Sequence, residues 1–158
     1  MGAYRIAAIC RNGHCIDSGL QYPSPDERFC EICGAEVIAV CPSCNTPIRG
    51  KYYAEGVLDF TEFPVPSYCI SCGKPFPWTQ SAIDAATAII EDADDLDAAQ
   101  RDKLVEVLPD IIAETPKTRL ASTRFMKAIS GAGKFTAEAL RQFAIDFGCE
   151  LAKQQLGL

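Results

Sequence analysis

Cys30-Glu-Ile-Cys33 and Cys41-Pro-Ser-Cys44 stand with seven residues between them. Each Cys-x-x-Cys pair has the geometry of a metal knuckle, a tight turn that aims two thiolates at one ion. Gly34 and Asn45 follow the second cysteine of each pair, where the turn needs a residue that tolerates positive φ. Each pair needs two more ligands, and the chain offers them on both sides: Cys10, His14 and Cys15 upstream, Cys69 and Cys72 downstream. The spacing therefore predicts two sites. The first takes Cys30 and Cys33 with Cys10 and either His14 or Cys15. The second takes Cys41, Cys44, Cys69 and Cys72, with a 24-residue excursion between its knuckles that has room for a β-hairpin. The rival is a cross-brace, with Cys10 and its partner joining Cys41 and Cys44, and Cys30 and Cys33 joining Cys69 and Cys72. Sequential pairing is preferred because neighbouring pairs close shorter loops at lower entropic cost. Tetrahedral sets of thiolate and imidazole suit zinc, so two structural Zn²⁺ are expected. Iron would use the same thiolates.

The elements around these residues must be short. Residues 3–9 read as a strand delivering Cys10, followed by the turn dipeptide Asn12-Gly13. Residues 17–28, polar with Pro23 and Pro25, read as a loop between the halves of the first site. Val37–Val40, Ile48–Tyr53 and Val57–Phe63 read as strands, the last two as a hairpin turning near Glu55-Gly56. At residue 79 cysteine and proline thin out, and Ala, Leu, Ile and Asp take over. Thr79 or Ser81, the latter with Asp84 in the capping-box position, caps a helix carrying Ile83, Ala86, Ile89 and Ile90. Asp92, Asp94, Asp95 and Asp97 form an acidic joint to a second helix carrying Leu96, Ala99, Leu104, Val107 and Leu108, which Pro109 kinks or restarts. A third helix follows Pro116, with Leu120, Phe125 and Ile129 inward, and Gly131-Ala-Gly133 breaks it. The last starts near Thr136 with Leu140, Phe143, Ala144, Phe147 and Leu151 on one stripe, with Ile145 and Leu156 off its centre line. The fold class is α+β: a tandem zinc-ribbon β domain over 1–78, then a small helical bundle over 79–158.

Composition is that of a globular protein, 48% hydrophobic and 23% charged in 158 residues. Eight of the nine cysteines fall in the first 72 residues, and the opening residues lack a basic leader. The expectation is therefore metal ligation in the cytoplasm and not a secreted disulfide framework. No apolar run approaches the ~20 residues of a membrane span. The formal charge of −6 becomes about −9 once seven ligand thiolates and two Zn²⁺ are counted. That balance argues against general nucleic-acid affinity, though not against a local basic patch.

Four motifs occur in order: Cys10-Arg-Asn-Gly-His14, Cys30-x-x-Cys33-Gly34, Cys41-Pro-Ser-Cys-Asn-Thr-Pro-Ile-Arg-Gly50, and Pro66-Ser-Tyr-Cys-Ile-Ser-Cys-Gly-Lys-Pro-Phe-Pro-Trp-Thr79. Together they resemble an uncharacterised bacterial family, domain of unknown function 2321, with a double zinc ribbon and a helical C-terminal half. The resemblance covers most of the chain. It implies zinc binding with no established activity. In that family an aliphatic residue usually follows the Cys-x-Asn-Gly-His motif, which implies His14 as the ligand and Cys15 as a local departure.

Other patterns also bear on chemistry. Arg49, Lys51, Lys74 and Trp78, with Tyr52, Tyr53, Phe60 and Phe76 nearby, are candidate nucleic-acid contacts, since aromatics among bases stack nucleobases. Small ribbons also need aromatics to cover thin cores. Residues 115–137 carry Lys117, Arg119, Arg124, Lys127 and Lys134 without an acid, a patch for phosphate or an acidic partner, or a solvated helix face. Gly131-Ala-Gly-Lys134 fails as a phosphate loop because Phe135 replaces the Ser or Thr that holds Mg²⁺. A zinc deaminase needs His-x-Glu, and Ile16 stands where its Glu would be. With one histidine, assigned as a ligand, no catalytic constellation is visible. The expected function is a non-enzymatic adaptor binding a protein partner or a second copy through its helices. A nucleic-acid-binding ribbon is the alternative.

Overall fold

Ala3–Cys10 forms β1, the strand around which the N-terminal part of the chain is assembled in the computed structural model, which describes residues 1–158. It pairs antiparallel with β2 (Cys15–Leu20), β3 (Val37–Ile38) and β4 (Arg49–Tyr53). Ile9 lies opposite both Cys15 and Ile38, and Tyr4 opposite Tyr52. Ala7, Ala8, Ile9 and Cys10 are all fully buried, as a strand covered on both faces requires. Gly50 of β4 lies so close to the Ser18 carbonyl and the Ile6–Ala7 backbone that any β-carbon there would collide.

The two-residue period of β1 divides the interior. Ala7 and Ile9 pack with Cys41, Ile48, Cys69, Phe76 and Trp78. Ala8 and Cys10 pack with Cys30 and Val37. One strand thus contributes alternate side chains to two separate cysteine-containing cores.

Two expectations for this region are corrected. Residues 15–20, expected in part as loop, form β2, because Ile16, Ser18 and Leu20 alternate with exposed neighbours along β1. Val57–Phe63, expected as a strand, has no regular structure. Val57, Leu58 and Phe60 are exposed, and Asp59 takes the Thr61 N–H and hydroxyl, an Asx-type turn that competes with an extended ladder.

Five helices follow: α1 (Pro77–Glu91), α2 (Ala98–Ile112), α3 (Thr118–Gly131), α4 (Lys134–Phe147) and α5 (Glu150–Leu156). The architecture is α+β, a small antiparallel sheet with cysteine clusters and then helices. The chain divides into Met1–Gln80 and Ser81–Leu158. The expected boundary at 78/79 falls inside α1, which begins at Pro77, a residue suited to a first helical turn. Thr79 and Ser81 consequently lie inside the helix, and neither is its cap.

Within Ser81–Leu158, α2 packs on α3 and α4, and α3 packs on α4 and α5. Leu104, Val107, Leu108, Ile111 and Ile112 of α2, Ala121, Phe125 and Ile129 of α3, and Leu140, Phe143 and Ala144 of α4 are buried. The capping box lies at Asp97, whose carboxylate accepts the Gln100 N–H at 2.8 Å while Gln100 Oε1 accepts the Asp97 N–H at 2.8 Å. Pro109 neither ends nor restarts α2. It is exposed, so water can serve the Val105 carbonyl that loses its donor.

At the α2–α3 joint the buried Thr118 hydroxyl donates to the Ala113 carbonyl and accepts the Thr115 N–H. These bonds tie the first residue of α3 to the end of α2; along α3 Leu120 is exposed, against expectation, while Phe125 and Ile129 are buried. The single last helix expected through Leu151 is broken at Gly148-Cys149, where the Cys149 N–H donates to the Ile111 carbonyl instead of continuing the helix. Phe147 is left partly exposed. No helix is long and apolar enough to cross a membrane.

Candidate metal centres

Three segments of the first unit fold into one repeated miniature. In each Cys-x-x-Cys knuckle the first cysteine donates its N–H to the carbonyl five residues on and accepts the N–H four residues on. The pairs are Cys30 with Ala35 and Gly34, Cys41 with Thr46 and Asn45, and Cys69 with Lys74 and Gly73, all at 2.7–2.9 Å. A single β-bridge closes each turn: Phe29–Glu36, Val40–Pro47 and Tyr68–Pro75. The residue after the second cysteine has positive φ each time, 71° at Gly34, 59° at Asn45 and 71° at Gly73. That left-handed step turns the chain back and leaves both sulfurs on one side. The fourth turn is tighter. The Cys10 N–H donates to the His14 carbonyl at 2.9 Å and Gly13 donates back to Cys10 at 2.8 Å, which brings His14 over the end of β1.

These turns assemble two four-residue sets, Cys10, His14, Cys30 and Cys33, and Cys41, Cys44, Cys69 and Cys72. In each set the ligand atoms all lie within 4.8 Å of one another, so each could hold a metal ion. The grouping follows the sequential pairing and not the cross-brace. Cys15 lies outside both sets, exposed at the start of β2.

The spacings suit a tetrahedron. Sulfur separations are 3.7 Å for Cys10–Cys33, 3.8 Å for Cys41–Cys72 and 3.6 Å for Cys44–Cys69. Thiolates at Zn–S distances stand about 3.8 Å apart in a regular tetrahedron. His14 Nδ1 lies 3.4 Å from Cys10 Sγ and 3.6 Å from Cys30 Sγ, against about 3.6 Å expected for an imidazole and a thiolate on one zinc. Sulfurs this far apart are not disulfides, and all nine cysteines are free.

The electrostatics divide each set. The Ala35 backbone N–H, then Asn12 and His14, hold the Cys33 thiol down to about 6. The Thr46 hydroxyl and backbone N–H do the same for Cys44, also to about 6. Burial pushes Cys10 up. At Cys72 the Lys74 N–H lowers the value, but desolvation and hydrogen bonds with Cys44, Cys69 and Cys41 outweigh it and push it to about 11. Like charges this close cannot all form unaided, and a divalent cation at the centre removes that repulsion.

Two supporting residues escaped sequence reasoning. Asn12 Nδ2 donates to Cys33 Sγ at 3.4 Å, and the Thr46 hydroxyl lies 3.3 Å from Cys44 Sγ. Such partners orient ligands and temper their charge. Asn12 carried only a turn signal, because nothing in a linear spacing says that its amide reaches a sulfur 21 residues away.

The four candidate nucleic-acid contacts do not converge. Trp78 is corrected: it is a buried core residue, stacked on Phe76 at 4.8 Å, with its indole N–H donated to the Pro66 carbonyl at 2.8 Å. No base can reach its face. Lys51 donates to the Thr61 carbonyl, Lys74 is exposed behind the third knuckle, and Arg49 lies over the Tyr4 ring at 4.4 Å.

Fold and site together define an α+β protein with paired, ribbon-like four-ligand centres and a helical C-terminal half. The chain belongs to the family described as an uncharacterized protein conserved in bacteria (DUF2321), whose model matches residues 3–156. No curated protein and no solved structure matches it.

Proposed function

We propose that this protein is a non-enzymatic, zinc-stabilised interaction module of the cytoplasm, in which two structural Zn²⁺ hold the first unit and the helical unit contacts a protein partner or a second copy. The observation that carries this reading is the pair of complete four-ligand sets at tetrahedral spacing. A site closed by four protein ligands has no open position at which water or substrate is activated, which is the structural and not the catalytic pattern. Elemental analysis tests the metal: two zinc per chain are expected, and iron, or fewer than two ions, overturns it.

The helical unit supplies the contact. Leu120, Met126, Phe135, Ile145 and Phe147 are exposed large apolar residues, with Phe135 at 83%. Where such groups join in one continuous patch they mark a contact. Light scattering and affinity capture with the intact chain and with Phe135→Ser/Ile145→Ser test this. Self-association or a captured partner that the double variant loses supports the reading. A monomer whose captures are unchanged by the variant removes it.

One observation favours a nucleic-acid role as the second reading. Arg5 lies over Tyr53 at 4.2 Å and Arg49 over Tyr4 at 4.4 Å, and all three tyrosines of this surface, Tyr4, Tyr52 and Tyr53, are exposed. Arginine–tyrosine stacks can take a base and a phosphate together. Binding to single-stranded RNA or DNA that weakens with salt and is lost in Arg5→Gln/Arg49→Gln would establish it.

A further inference from the structure

The acid-free stretch of α3 has a definite place in the fold. Arg124 and Lys127 stand three residues apart on one face of α3, and with Lys103 and Gln100 of α2 they line a groove between the two helices. Its volume is ≈ 520 Å³, within the range of roughly 300–1,000 Å³ usual for small-ligand sites. Leu104 lies buried beneath its floor, and the half-buried Ala128 is the apolar residue open to it.

None of these three cations has an acidic partner. The ion pairs of the chain are Arg11–Glu36, Lys134–Glu138 and Lys153–Glu150, all elsewhere. The neighbouring Arg101 is engaged by contrast, its guanidinium donating to the Ala93 carbonyl at 2.7 and 3.2 Å. Residues 81–158 hold thirteen acids and nine bases, so acids are available in number. Three cations nevertheless share one concavity and repel one another there, an arrangement that a bound anion relieves.

We propose that this groove binds a small molecule bearing a terminal phosphate. Glu106 is the one acid of the lining, which leaves a net of two positive charges. A phosphate monoester carries about −1.5 to −2 at neutral pH, and so matches that charge. The Arg124 fork suits two phosphate oxygens, and the lysines act as point charges. Gln100 uses its Oε1 on the Asp97 N–H, which frees its amide N–H₂ to donate. Ala128, half-buried between the two helices, offers a small apolar contact for the body of the molecule. The proposal needs neither the metal centres nor a protein partner, so it stands apart from the function proposed above.

The test is a titration of the intact, metal-loaded chain with inorganic phosphate at constant ionic strength, followed by amide chemical shifts. Saturable shifts at Lys103, Arg124 and Lys127 are expected. Arg124→Gln/Lys127→Gln should weaken binding at least tenfold, and Lys103→Gln repeats the test from the other helix. These residues are exposed, so the helical signal should be unchanged. Lys117→Gln/Arg119→Gln, outside the groove, should bind as the parent does. Absence of saturation, the same shifts with sodium chloride, or equal weakening in Lys117→Gln/Arg119→Gln would overturn the assignment. Tighter binding of a hexaglutamate peptide than of phosphate would overturn it in favour of an acidic protein segment.

Discussion

His14 Nδ1 stands 3.4 Å from Cys10 Sγ at the end of β1, while the adjacent Cys15 is exposed and belongs to neither ligand set. The cause is the Asn12-Gly13 turn, which returns the chain after four residues, so that position 14 faces Cys10 and position 15 begins β2. His14→Ala should therefore bind one zinc per chain and Cys15→Ser two, by elemental analysis. Two zinc in the first variant, or one in the second, would reverse the roles.

The ligand sets were legible because a knuckle is a local object, fixed by two cysteines and a residue that accepts positive φ. Gly34, Asn45 and Gly73 all adopt it. The choice between His14 and Cys15 was not local. It depends on β2, whose start at Cys15 is set by pairing with Ile9 and which polar residues 17–28 concealed.

Trp78 stacks on Phe76 and donates to the Pro66 carbonyl, so its role is to close the second core. Trp78→Ala should cost about 3–5 kcal/mol in the stability of the first unit, measured by denaturant unfolding of the zinc-loaded protein. Trp78→Phe keeps the stack but leaves the Pro66 carbonyl without its donor, a loss of about 1–3 kcal/mol. A change below about 0.5 kcal/mol in both would mean the ring is a surface group after all.

Asp95, in the turn between α1 and α2, holds the start of α4: its carboxylate accepts the Gly133 N–H and the Thr136 hydroxyl. The Gly133 N–H, then Thr136, hold its carboxyl below the usual aspartate range. A group with a depressed folded pKa adds stability above its unfolded pKa and loses it as pH falls through the folded value. Asp95→Asn should therefore lower the melting temperature of the helical unit at pH 7. The difference from the parent should close in acid, where a protonated Asp95 is nearly isosteric with Asn. A difference that persists unchanged at low pH would mean that shape and not charge matters here.

The helical unit was less legible than the ribbons. Helix periodicity found Leu104, Leu108, Phe125, Leu140 and Phe143, all buried. It missed the break at Gly148 because the apolar stripe runs on to Leu151, although Gly148 is an extended C-cap where a β-carbon would strike the Ala144 carbonyl; the Cys149 N–H then turns to the Ile111 carbonyl, a tertiary contact. Leu120 is exposed, and the sequence hides this for a related reason. The buried face of α3 begins with Thr118, bonded to the Ala113 carbonyl, and a threonine side chain in the core carries no hydropathy signal.

The alternation along β1 joins the two ligand sets through one strand. Cys10 and Ala8 belong to the first core, Ile9 and Ala7 to the second, and adjacent residues of one strand cannot lose their conformation separately. Zinc supplies much of the folding free energy of small domains of this kind, so freeing one centre should loosen the strand that supports the other. Cys33→Ser removes a first-set ligand that is exposed and absent from both cores, so its direct packing effect is small. It should nevertheless speed chelator-driven zinc release from Cys41, Cys44, Cys69 and Cys72 by several-fold, followed with a metallochromic dye. The reciprocal Cys72→Ser, also exposed, should do the same to the first centre. Release of the remaining ion at the parent rate in both variants would show two independent ribbons, with β1 held by its sheet partners alone.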